Sequence, residues 1–185
     1  MPLIIEIFAI VFAILYLVLA AFENNWCWLF AGLSTVLYVF ICYDAQLYLE
    51  TILQFFYLFM AVYGFLQWRK KENNSAVIHR ISFQFHLKLI AVAEIGSLLA
   101  GYYFSNYTVA ALPWMDAHIT VYSIVATYMV TKKMIENWLW WFVIDALAVY
   151  LYFAKDLKLT ALLYFAYVVM VVFGYFKWKK EIQKL

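Results

Sequence analysis

The chain has 185 residues, of which 69% are apolar and 13% charged, with a formal net charge of +2. A soluble domain of this size has too little interior for so much apolar surface, whereas a bilayer accepts it. A charge balance this close to neutral singles out no partner by itself, so the positions of the charges have to be read instead.

Apolar stretches fall at 3–22, 26–43, 47–66, 85–105, 108–131, 137–154 and 158–176. Each has the length of a spanning helix, and backbone groups in lipid must be satisfied within their own segment. The pattern predicts an all-α membrane protein of seven transmembrane helices. The alternation of a lipid-facing barrel is missing. The first stretch, Leu3 to Phe22, lacks a basic leader and a small-residue cleavage site and is expected to be a retained helix. Cys27 and Cys42 sit toward opposite ends of the second stretch. At a rise of about 1.5 Å per residue they are about 22 Å apart, too far for a disulfide, and both are expected to be packing residues.

Basic residues fix an orientation. Arg69, Lys70, Lys71 and Arg80 follow the third stretch, Lys132 and Lys133 the fifth, and Lys177, Lys179, Lys180 and Lys184 the seventh, while Lys155 and Lys158 stand alone on the other side. The positive-inside rule then places the N-terminus outside and the C-terminus in the cytoplasm. These basic residues are accounted for by topology, and no nucleic-acid partner is expected. Trp26, Trp28, Trp68, Trp114, Trp138 and Trp178 lie near predicted helix ends, as interfacial aromatics do. The segment 67–84, with Lys71-Glu72-Asn73-Asn74-Ser75, is the one polar linker of any length and is expected to be cytoplasmic.

The third and seventh stretches match at an offset of 110. Leu49, Leu53, Phe55, Tyr57, Met60, Val62, Gly64, Trp68 and Lys70 recur as Leu159, Leu163, Phe165, Tyr167, Met170, Val172, Gly174, Trp178 and Lys180. Upstream, Asn25-Trp26-x-Trp28 recurs as Asn137-Trp138-x-Trp140 at an offset of 112, which implies a two-residue length change between the copies. Both copies end on the same side, so an odd number of helices per repeat requires one linking helix. The expected plan is a first repeat at 1–66, the linker 67–84, a linking helix at 85–105, a second repeat at 108–176 and a cytoplasmic tail at 177–185. Carriers built from parallel repeats bind substrate at the repeat interface near mid-membrane.

Intramembrane polar groups are the candidates for chemistry. The fifth stretch carries Asp116, Thr120, Ser123 and Thr127 as one stripe; helix–helix hydrogen bonding is the plain alternative for the hydroxyls, and a solvated mouth position for Asp116. The sixth places Asn137, Trp141, Asp145, Ala148 and Tyr152 on one face, with Asp145 near the membrane centre and expected to face the bundle interior. A structural role in accepting hydrogen bonds is its alternative. Gln54, Tyr57, Ala61 and Gly64 share a face of the third, answered by Tyr164, Tyr167, Val171 and Gly174 on the seventh. Amide and phenol groups above small residues both hydrogen-bond a polar ligand and stack on its ring, although any single tyrosine fits an aromatic core equally well. Trp28, Thr35 and Tyr38 are weaker candidates of the same kind. In the fourth, Lys88 is expected to snorkel and Glu94, Ser97 and Gly101 to form a packing face.

The chain lacks a Walker loop, a dinucleotide fingerprint and a metal-spaced Cys/His cluster, so no cofactor, metal or catalytic residue is expected. His79, His86 and His118 are scattered and read as interfacial. A retinal-type receptor would need a lysine mid-way along the last helix, and 159–176 holds none. A membrane enzyme would need a nucleophile–base or metal constellation. A small-molecule carrier is the reading left standing.

The runs Asn25-Trp26-Cys27-Trp28, Leu47-Tyr48-Leu49-Glu50, Leu53-Gln54-Phe55-Phe56-Tyr57, Tyr63-Gly64 and Trp68 resemble the PnuC-type vitamin transporter family. So do Asp116, Thr127, Lys132-Lys133, Glu136-Asn137-Trp138, Trp141, Asp145, Leu159-Thr160-Ala161, Tyr164 and Gly174 to Trp178. One departure is Phe65, where the family often has Trp after the glycine. The resemblance implies a 3+1+3 arrangement like that of full-length SWEET sugar carriers, a homotrimer, and a bacterial inner-membrane location. It further implies facilitated diffusion of a neutral or dephosphorylated vitamin, trapped by a cytoplasmic kinase. Family members carry nicotinamide riboside, thiamine or riboflavin, with nicotinamide riboside the first choice here and thiamine second. The family's binding positions fall on the helices with Gln54, Tyr57, Asn137, Trp141 and Asp145.

Overall fold

The structure is a computed structural model and describes residues 3–44, 48–69, 77–107, 112–154 and 158–183. Seven helices run in order: α1 (Leu3–Ala21), α2 (Cys27–Asp44), α3 (Tyr48–Arg69), α4 (Phe83–Tyr107), α5 (Pro113–Thr131), α6 (Asn137–Ala154) and α7 (Lys158–Ile182). Among the described residues the extended backbone amounts to one isolated bridge between His79 and Met134. Residues 70–76 of the predicted polar linker 67–84 lie outside the described residues.

Five helices are long and apolar enough to cross a membrane, and the Cys27–Ile41 part of α2 is a shorter apolar run. α5 is diluted by Asp116, His118, Thr120, Ser123 and Thr127. Bulky side chains such as Ile52, Phe59, Val92 and Leu99 point outward, while the buried positions of α4 are the small Ala93, Ser97 and Gly101. This is the arrangement lipid favours, because close approach of small residues, not withdrawal of apolar bulk from water, holds such helices together. The molecule is an all-helical, multi-pass membrane protein.

Two ends differ most from the sequence expectation. α7 runs on to Ile182, past the predicted end at 176, because Lys177, Lys179 and Lys180 flank a fully buried Trp178 and extend an amphipathic turn out of the apolar span. α5 begins at Pro113, whose fixed φ and missing N–H suit a first helical position.

Helix boundaries recur along the chain with a single offset. α1 and α5, and α2 and α6, begin and end at a constant offset of 110, and α3 and α7 start at the same offset. Trp28 packs on Gly64 in one copy and Trp138 on Gly174 in the other. The offset is therefore 110 throughout. The two-residue length change inferred from the Asn-Trp-x-Trp likeness is corrected: that likeness does not mark structurally equivalent residues.

Matching caps close the two first helices. Glu23 and Lys133 both have φ of 55°, the left-handed conformation that ends a Schellman motif. The Glu23 N–H donates to Ala20 O at 3.0 Å and the Asn24 N–H to Leu19 O at 2.9 Å, while in the second copy the Met134 N–H donates to Met129 O at 3.0 Å. Glycine takes this position freely; a side chain there costs about 1–2 kcal/mol.

The tryptophans divide. Trp26 is 61% exposed and Trp114 is also exposed, as interfacial anchors are, but Trp28, Trp68, Trp138 and Trp178 are buried in the protein rather than placed in a belt. Glycine neighbours and indole–indole contacts give them internal sites, so their nearness to helix ends misleads.

The chain divides into two compact units. The first comprises Met1–Ile78, Thr131–Lys133 and Lys177–Leu185. In it Trp28 lies 5.9 Å from the Tyr16 ring and 5.4 Å edge-on from Trp68, and the Ser34 hydroxyl donates to Ala9 O at 2.8 Å, tying α2 to α1. Ser34→Ala is expected to lower stability by about 0.6 kcal/mol, the usual worth of such a bond between membrane helices; an unaltered midpoint in detergent unfolding would show the bond to be idle. The second unit comprises His79–Val130 and Met134–Phe176. Its core is Ala93, Ala126, Met129, Met134, Trp140 and Ile144. The Ile135 N–H donates to His79 O at 3.0 Å and the Ile81 N–H to Glu136 Oε2 at 3.3 Å, pinning the approach to α4 against the turn before α6.

Candidate functional site

The strongest site features lie on α6. Asn137 (0% exposed) and Asp145 (3%) are both buried, two helical turns apart on one face, with half-buried Trp141 between them. At about 1.5 Å per residue that face is about 12 Å long. The Asn137 side-chain amide donates to Met134 O in the turn before α6, which fixes its rotamer. Its Oδ1 is left buried with no hydrogen-bond partner among the described residues. A buried acceptor without a donor carries a penalty of about 1–3 kcal/mol, which a ligand N–H or O–H removes. A carboxylate in the same apolar span calls for a cation or strong donors in the same way. Trp141 also leans on the core cluster around Ile144, so part of its ring is packing.

At the far end of α6, Tyr152 stacks on Tyr164 of α7 with ring centres 5.1 Å apart and planes 14° from parallel, and Tyr164 meets Tyr167 edge-on at 5.6 Å. The structure thus joins three of the tyrosines singled out in the sequence, Tyr152, Tyr164 and Tyr167. Ser123 is buried on α5, and its carbonyl accepts the Thr127 hydroxyl at 2.7 Å; the stripe is bonded along its own helix at that point.

In the first unit Trp28 and Thr35 are buried, while Gln54 and Tyr57 are half-buried on α3. The Trp28 indole N–H has no acceptor among the described residues. Tyr57 meets the Phe56 ring at 5.9 Å.

Two polar clusters were not anticipated. Glu94 on α4 accepts the Tyr122 hydroxyl at 3.0 Å and lies 3.3 Å from His118 Nε2, while His118 Nδ1 is 2.7 Å from Trp114 O. Glu94 therefore lies on the side of α4 that meets α5, as does Gly101 against Trp114, and His118 is its partner across that contact. The second cluster centres on Lys133, which is 0% exposed and pairs with Glu23 at 2.7 Å. A uniform offset of 110 would have set these two side by side in the repeat alignment; that was the available signal. No group of three or more metal-ligating side chains occurs among the described residues.

A family model described as nicotinamide mononucleotide transporter matches residues 3–180. Among curated proteins, the riboflavin/roseoflavin transporter RibM of Streptomyces davaonensis is 30% identical over 125 residues, covering 64% of this chain and 58% of that protein. The nicotinamide riboside transporter PnuC of Neisseria mucosa is 26% identical over 171 residues, covering 85% of this chain and 65% of that protein. The chain thus spans less than two thirds of the length of both. A solved structure of the vitamin B3 transporter PnuC shares the fold, with a TM-score of 0.77 at 24% identity, covering 96% of this chain and 81% of that one. The matched family is one of membrane transporters and not of enzymes. On a match that runs through all seven helices, the chain belongs to the nicotinamide mononucleotide transporter family.

Proposed function

We propose that this protein imports a dephosphorylated vitamin across the cell membrane by facilitated diffusion, with nicotinamide riboside as the preferred substrate and cytoplasmic phosphorylation making uptake one-way. The two three-helix repeats at 1–66 and 108–176, linked 3+1+3 through the helix between them, expose the binding site to each side in turn. The N-terminus lies outside and the C-terminus in the cytoplasm, as the basic residues require. The working form is a homotrimer.

One observation carries the substrate class: the buried carboxylate of Asp145 shares a face with the unpaired acceptor of Asn137 and the indole of Trp141. A cationic aromatic ring bearing hydrogen-bond donors answers all three, through charge, donors and stacking. The pyridinium, carboxamide and ribose of nicotinamide riboside supply these. Thiamine, also cationic and aromatic, is the second choice on the same chemistry. Riboflavin is favoured by a different observation, the 30% identity to RibM, but as a neutral ring it leaves Asp145 unanswered.

Titrating the purified protein with each vitamin while following thermal unfolding separates the three. A ligand that binds the folded state alone stabilises it by about 2.7 kcal/mol at a hundred times its dissociation constant. Nicotinamide riboside is expected to raise the midpoint most, and Gln54→Ala to weaken its effect. A rise with riboflavin alone would transfer the assignment, and no rise with any of them would sink it.

A further inference from the structure

Where α1, α3, α5 and α7 end, the first unit holds a cluster that the proposed site does not use. Lys133 Nζ lies 2.7 Å from Glu23 Oε2 and 4.7 Å from the centre of the Trp68 ring. Trp68 meets Trp178 at 6.2 Å, and the Trp178 indole N–H donates to Ala20 O at 3.1 Å. Lys177 stands over Phe22 at 4.5 Å, and Lys132 over Tyr63 at 5.2 Å.

Glu23 and Lys133 are the same position of the two repeats, and so are Trp68 and Trp178. Each pair is a residue touching its own counterpart, which happens where a local two-fold passes through a contact. Both charged residues occupy left-handed cap positions that glycine would fill without strain. The side chains, not the turns, account for their presence. An ion pair with a fully buried lysine adds little net stability over an apolar contact, yet it is either made or broken, with water replacing the lost partner once the ends part. These are the properties of a closure that must also open.

We propose that the Glu23–Lys133 pair, seated on the Trp68–Trp178 pair, is a latch that shuts the cytoplasmic end of the carrier and parts when substrate leaves. The proposal rests on the transport reading and on the orientation given above. Cys27 is a built-in reporter: it opens α2 four residues after Glu23 and is 0% exposed.

The test uses the full-length Cys42→Ser protein in sealed vesicles of both orientations, with a membrane-impermeant maleimide and no vitamin present. Cys27 is expected to label slowly, and from the cytoplasmic side alone. Glu23→Gln, which keeps the size of the side chain and removes its charge, is expected to speed labelling on the order of tenfold, the effect of a tenfold rise in the open population. The charge swap Glu23→Lys with Lys133→Glu is expected to return labelling to the slow rate. Labelling is read well below the unfolding midpoint of each variant, so partial unfolding does not mimic opening. Equal rates in parent and Glu23→Gln overturn the latch, as does a rise that the swap leaves in place, or labelling from the outer side. A latch that behaves as expected in a protein that takes up no vitamin counts against the transport reading alone.

Discussion

Gly174→Val lowers the unfolding midpoint of the detergent-solubilised protein sharply, Gly64→Val does the same, and Gly32→Ala leaves it unaltered. A Cβ on Gly174 would stand 2.5 Å from Trp138 Cη2 and 2.6 Å from Cζ3, and a Cβ on Gly64 would meet the Trp28 ring more closely still. Neither indole has an easy retreat. Trp28 is boxed by Tyr16 and Trp68, and Trp138 is buried at the start of α6. Overpacking of this kind costs about 1–3 kcal/mol, and more where backbone must move. Gly32 is the control, since a Cβ there finds the Ala61 and Leu58 side chains at 3.9 Å, an ordinary contact. Trimming the ring, as Trp138→Leu in the Gly174→Val background, should recover part of the loss. If the valine variants melt with the parent, the indoles do not sit on the glycines. If Gly32→Ala falls as far as they do, the effect is helix propensity and not contact.

The contrast with Gly32 shows what the sequence can and cannot convey. Spans were legible because length and hydropathy suffice in lipid, and the shared Gly64 and Gly174 marked the repeat because little else is small along α3 and α7. Its register upstream was not legible. Asn25-Trp26-x-Trp28 and Asn137-Trp138-x-Trp140 are vivid as letters, whereas the true counterparts, Glu23 with Lys133 and Cys27 with Asn137, share no side-chain chemistry. What the copies share there is backbone: a left-handed cap and a turn, which leave few marks on sequence when glycine is not used. The burial of four tryptophans was hidden for a related reason, since an indole near a helix end serves an interface or a glycine notch equally well. Glu94, His118 and Tyr122 lie on two helices, 24 and 28 residues apart, and only tertiary packing joins them. Asp145 was legible because a carboxylate in mid-span has few places to go.

Asp145→Leu abolishes the stabilisation by nicotinamide riboside while leaving the ligand-free protein as stable as the parent, or more so. The two effects have opposite signs for one reason. Asp145 is 3% exposed, and a buried carboxylate replaced by a similar-sized apolar side chain relieves desolvation. The same replacement takes away the counter-charge for a pyridinium, and losing one partner of a buried charge pair costs about 2–5 kcal/mol, on the order of 30- to 5,000-fold in dissociation constant. Asp145→Asn separates charge from hydrogen bonding: it keeps an acceptor, so it should retain more affinity than leucine and less than aspartate. A purely structural carboxylate gives the reverse pattern, with lower stability in Asp145→Leu and unaltered affinity in whatever remains folded. Riboflavin supplies the last discrimination. A neutral isoalloxazine gains nothing from a negative charge, so if the carrier is built for a flavin, Asp145→Leu should bind it as well as the parent does. Affinities of the three proteins for the two vitamins, measured beside their midpoints, place the charge of Asp145 either at the substrate or in the scaffold.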